Sequence, residues 1–111
     1  MIMRYALVAV AASACAVPAH PAENPTALAE KRLRGCIQSG ASTAPKTDLR
    51  SAVIYVRAFC KPKIDDLAGL RIGAAVEGTG GEVRKQIERK ARRELNDEIV
   101  RAVANFTGLT S

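Results

Sequence analysis

A chain of 111 residues with 17 Lys and Arg against 11 Asp and Glu, three cysteines and one histidine makes one domain at most. Its formal net charge of +6 draws it toward anionic surfaces without naming one. A single histidine and so few thiols do not supply the four ligands of a structural zinc site, so no metal or cofactor is expected.

The first element is an export leader. Met1–Arg4 carries one positive charge, Tyr5–Val17 is uncharged and rich in Ala, Val and Leu, and Val17-Pro18-Ala19 ends it with small residues that a signal peptidase accepts. Residues 1–19 are therefore predicted to be a signal peptide, with His20 as the first mature residue and a periplasmic or secreted bacterial location. The apolar run falls short of the roughly 20 residues a membrane span requires. A rival reading takes Ala12-Ser13-Ala14-Cys15 as a lipobox, which would make Cys15 the lipid-bearing N-terminus and hold the protein at a membrane. Either reading leaves Cys36 and Cys60, an even pair that an oxidising compartment would join as a disulfide.

Residues 20–25 form a lead-in. Asn24 can cap a helix and Pro25 suits its first position. The helix that follows has Ala29, Leu33, Cys36 and Ile37 on one stripe, and Gly35 offers a site for close helix contact. Pattern alone would end this helix at Ser39-Gly40. The second helix, residues 47–61, holds the densest apolar pattern outside the leader: Leu49, Ala52, Val53, Val56, Phe59 and Cys60 recur at spacings of three and four. Thr47 is the expected cap, and Asp48 suits the positive end. A plain antiparallel hairpin would leave Cys60 about 20 Å from the turn that Cys36 faces. A disulfide needs Cα atoms within about 7 Å. The first helix is therefore expected to run to about Thr43, residues 26–43.

Pro62 breaks the second helix. Residues 63–76 fit a helical stripe and a strand alternation (Leu70, Ile72, Ala74, Val76) equally well. With no partner strand elsewhere, the expectation is a short helix, 62–70, followed by a loose Gly-rich segment. The last helix, 82–105, carries Val83, Ile87, Ala91, Leu95, Ile99, Val103 and Phe106, spaced mostly by four, so its stripe spirals. Opposite charges four apart recur at Arg84–Glu88, Glu88–Arg92, Lys90–Glu94, Arg93–Asp97 and Asp97–Arg101. Gly108 is the expected stop, and 107–111 a tail. The fold expected is all-α: a domain of three to four helices over residues 26–106, after a signal peptide, with one disulfide.

No catalytic constellation emerges. His20 is terminal and cannot serve a nucleophile in the core. Asp65-Asp66 are adjacent on a helix and point apart. Gly73–Gly78 lacks the Lys-Ser/Thr of a phosphate loop. Asn105-Phe106-Thr107 is a glycosylation acceptor only in a eukaryotic secretory pathway. Lys85, Arg89, Arg92 and Arg93 share a narrow arc opposite Ile87 and Leu95, a face for anionic lipid or an acidic protein. With four aromatics in the chain there is little to stack on bases, so nucleic acid is a poor partner. Tyr55 is expected at the edge of the core with its hydroxyl in water; the alternative is a contact residue for a partner. The reading is a small exported basic protein, not an enzyme, that binds another protein as an inhibitor or accessory does. The alternative is an envelope-surface module for anionic lipid or polymer.

Overall fold

The computed structural model describes residues 24–110. The leader, Cys15 and the two cleavage sites read from the sequence lie outside the described residues. Four helices follow in order: α1 (Pro25–Thr43), α2 (Leu49–Phe59), α3 (Lys61–Ala75) and α4 (Gly81–Thr107), and the described residues contain no strand.

Local chemistry sets each boundary. The Asn24 side chain accepts a hydrogen bond from the Thr26 amide at 2.9 Å, and Pro25 fills a position whose amide would have had no partner. α1 passes through Gly40 and ends at Thr43, because Pro45 forces Ala44 into an extended conformation. The cap of α2 is Asp48 rather than Thr47. Its carboxylate accepts from the Ser51 amide at 3.3 Å, while the Thr47 hydroxyl donates to it at 3.1 Å. Pro62 opens α3 instead of merely ending α2: Cys60 closes one helix and starts the next, its carbonyl accepting from the Ile64 amide at 3.0 Å.

α3 departs from the sequence expectation. It continues past Leu70 to Ala75, so the loose segment and the strand alternation are both overturned. The reason is burial: Leu67, Ala68, Ile72 and Val76 share the helix face that meets the core. That gain outweighs the roughly 0.5–1 kcal/mol cost of each of Gly69 and Gly73. The turn comes later, where Val76 accepts from both the amide and the hydroxyl of Thr79. Gly78 there adopts φ 78°, which favours glycine. Gly108 ends α4 with φ 72°.

A single cluster joins all four helices: Leu33 and Ile37 from α1, Ala52 and Val56 from α2, Leu67 and Ile72 from α3, and Leu95, Ile99 and Val103 from α4. α4 outruns this core. Its first fully buried residue is Leu95; before it Ile87 and Ala91 pack half-buried against the cluster, and residues 81–86 are exposed. The spiral stripe read from the sequence is accordingly split. Leu95, Ile99 and Val103 are buried, Ile87 and Ala91 are half-covered, and Val83 and Phe106 are exposed.

Cys36 and Cys60 stand at disulfide distance, with Cα atoms 5.9 Å apart. The longer α1 makes this geometry available, since its last turns run alongside α2. Gly40, not Gly35, is the point of close approach. A Cβ at Gly40 would lie 3.0 Å from Phe59 Cδ1 and 3.5 Å from Val56 Cγ2, whereas nothing lies within 4 Å of the corresponding point on Gly35.

Candidate functional site

α2 is the shortest of the described helices and carries three of their six exposed large hydrophobic side chains, Ile54, Tyr55 and Phe59. Its inward residues Leu49, Ala52 and Val56 are buried. The helical period then puts Tyr55 and Phe59 on the flank toward α1, Ile54 and Ala58 on the crest, and Arg50, Val53 and Arg57 on the flank toward α4. Ile54 is 60% exposed and Phe59 51%. Phe59, placed with the core stripe by its spacing, thus sits outside the core. No acidic side chain occurs between Leu49 and Phe59.

The aromatic flank is held in place. The Tyr55 and Phe59 rings stack with centroids 6.1 Å apart. The Tyr55 hydroxyl hydrogen-bonds with the Thr43 hydroxyl at 3.1 Å, so it is tied to the end of α1 instead of being left to water alone. Phe59 rests against the bare backbone of Gly40.

The other flank forms a groove with α4. Leu49, Val53, Ile54 and Val100 line a cavity of about 490 Å³ bordered by Arg50 and Arg57. Arg57 donates to Asn96 Oδ1 at 2.6 Å, which fixes its guanidinium at the groove edge. Asp48 also borders it, but its carboxylate is engaged by Ser51 and Thr47. Those hydrogen bonds, with the nearby Arg50 charge, hold it below the usual carboxylate range.

The basic face expected on α4 lies on its thinly covered first half, beside the half-buried Ile87 and Ala91. Arg89, Arg92 and Arg93 are exposed and make no ion pair among the described residues. Lys85 meets Glu82 at 3.6 Å. Of the five expected pairs four apart, Arg84–Glu88 (3.4 Å) and Lys90–Glu94 (3.9 Å) form. Arg92 and Arg93 lie one turn before Asn96, and so continue along α4 from the point where Arg57 touches it.

A second groove, of about 390 Å³, lies between α1, α3 and α4 over Leu33, Ile37, Leu67 and Ile99. Arg71 spans its mouth, donating to Glu98 and to Glu30 at 3.3 Å. Partial burial works against the Arg71 charge, but the two carboxylates outweigh it and push its pKa above the ordinary arginine value. The Arg71 charge is therefore already met by two carboxylates.

The sequence reading singled out the α4 cations and missed Ile54, Arg50 and Arg57. Their signal was present: Ile54 falls off the core stripe, and two arginines seven apart flank it with no acid between. The bridge from Arg71 to Glu30 and Glu98 joins three helices and has no local signature. Asp65 pairs with Lys61 at 2.8 Å, an ordinary surface pair. Among the described residues, no three His, Cys, Asp or Glu side chains gather to hold a metal ion, and no helix is long and apolar enough to cross a membrane. Comparison with protein-family models, with curated proteins and with solved structures gives no match.

Proposed function

We propose that the chain is an exported, non-enzymatic binding module that docks the outer face of α2 on another protein, in the manner of an inhibitor or accessory subunit. The observation that carries this reading is the company kept on one short helix: Ile54, Tyr55 and Phe59 exposed beside Arg50 and Arg57, with no acidic side chain among them. Tyr, Phe and Arg are residue types enriched at protein interfaces, and charge depletion at the centre with Arg at the rim is the usual layout. The rings are braced by each other, by Thr43 and by the Gly40 backbone, and a side chain placed before docking lowers the ordering cost by about 0.5–1.5 kcal/mol.

The test is a pull-down from envelope extract with the mature chain, compared with the double variant Tyr55→Ala, Phe59→Ala. A stoichiometric partner retained by the parent and lost from the variant is the expected result. Retention of that partner at equal yield by the variant would overturn the assignment of the docking face.

A second reading rests on a different observation, the unpaired Arg89, Arg92 and Arg93. They would suit an envelope-surface module that holds anionic lipid or polymer, anchored through an acylated Cys15. Changing all three to Gln should abolish salt-sensitive retention on phosphatidylglycerol vesicles, and unchanged retention rejects it. Mass spectrometry of the mature N-terminus separates His20 from acylated Cys15.

A further inference from the structure

We infer that the groove between α2 and α4 receives an amphipathic helix of the partner, one whose apolar stripe is flanked by acidic residues. This deepens the protein-binding reading and rests on it.

The floor and the walls give different information about the occupant. The floor is aliphatic: Leu49, Val53, Ile54 and Val100, in a cavity of about 490 Å³. It offers no buried polar group and so selects for apolar side chains. Two neighbouring helices leave a trough between them, and a third helix fits such a trough by inserting side chains at every third or fourth position.

The α2 wall is cationic along its length. Arg50 and Arg57 are seven residues, or about 10 Å, apart on α2. Arg93, Arg92 and Arg89 extend the series along α4 beyond Asn96, which Arg57 contacts. A lipid carries its charge at one end and would call for cations gathered at one mouth of the groove. Cations strung out over several turns match carboxylates strung out over several turns. The acidic residue on the rim, Asp48, is committed to capping α2.

A second copy of the chain is a poor occupant. A two-fold contact sets a patch against itself, so Arg50 and Arg57 would meet their own images on a chain already at +6. The groove between α1, α3 and α4 also lacks the property that makes this one a site, because Arg71 is neutralised there by Glu98 and Glu30.

The experiment is a titration of the isotope-labelled mature chain with a blocked synthetic peptide of about four helical turns. The peptide carries Leu at every third or fourth position and Glu on both flanks; a control carries Lys in place of Glu. The expected result is amide shifts centred on Val53, Ile54, Arg57 and Val100, weakened by salt and absent with the Lys control. Arg50→Glu with Arg57→Glu should weaken binding about tenfold or more. Ile54→Asp should do the same while leaving both arginines in place, and all these side chains are exposed, so folding is not at stake. Four results overturn the inference: no shifts, shifts confined to Tyr55 and Phe59, equal binding of the Lys control, or the same amides moving with anionic vesicles or with protein concentration alone. Failure here with capture still dependent on Tyr55 and Phe59 removes the groove and keeps the protein-binding reading. Loss of that dependence removes the reading itself.

Discussion

Gly35 and Gly40 lie on the same helix, yet only one of them has a neighbour that needs it. At Gly35 a methyl group meets nothing within 4 Å, so Gly35→Ala should raise stability by about 0.5–1 kcal/mol through helix propensity alone. At Gly40 the same methyl group lands 3.0 Å from the Phe59 ring, which must give by a few tenths of an ångström. Gly40→Ala should therefore gain less than Gly35→Ala, and should change the near-ultraviolet signal of the Tyr55–Phe59 stack. Urea unfolding and circular dichroism of the two variants measure both effects, and equal gains with an unchanged signal would remove the close-contact argument. Asp48 offers a test through pH. Its carboxylate, ordinarily near 3.8, titrates lower in the fold, chiefly because Ser51 donates to its charged form. The folded state thus binds the proton less readily than the unfolded chain, so its stabilisation is complete above the ordinary value and fades as pH falls through the lowered one. Asp48→Ala should lower the urea midpoint at neutral pH and flatten this part of the acid limb. An acid limb identical to the parent's would show that the cap contributes nothing.

At the scale of elements, the four helices and the cysteine pairing were legible because each left a strong local or geometric mark. The stripe of α2 was dense, Asn24-Pro25 announced α1, and the distance between Cys36 and Cys60 demanded that α1 outlast Gly40. α3 was misread for a physical reason: glycines lower helix propensity wherever they stand, while the burial that overrides them depends on α1 and α4 being present. The site was legible only in part. The cations of α4 could be read from their arc, but which side of α2 stays uncovered depends on where its neighbours settle. The cysteine pair also has a magnitude. Joining positions separated by 24 residues should stabilise the fold by about 3 kcal/mol, by restricting the unfolded chain. Thiol labelling of denatured, unreduced mature protein should find neither cysteine free, and unfolding with and without reductant should differ by that amount. Full labelling would reject the bond.

The described residues divide unevenly between a shared core and a thinly covered arm, the first half of α4. Everything from α1 to α3 contributes to one cluster, as does the second half of α4 from Leu95 onward. The first half of α4 has no buried residue and carries six basic against two acidic side chains between Gly81 and Arg93. Only Ile87 and Ala91 there pack against the core, and both are half-exposed, so its hydrogen bonds have little packing over them. Amides of residues 85–90 should exchange at least about tenfold faster than those of residues 95–103, in native-state hydrogen exchange of the isolated chain. Equal rates would mean that the arm is covered. The sequence suggested that charge would favour anionic partners, but it could not say that the charge sits on a segment only thinly packed against the bundle, because the drift of a stripe spaced by four does not reveal where its partner helices end.

Cys60 is at once the end of α2 and the start of α3, and its partner lies on α1. Once closed, the bond makes a macrocycle of residues 36–60 that contains the whole of α2. The exposed loop at residues 45–48 is inside that ring, so a single protease nick there severs the chain without releasing a fragment. The nick opens the ring, but the α1 fragment would stay joined through Cys36 to the fragment that presents Ile54, Tyr55 and Phe59 until a reductant broke the bond.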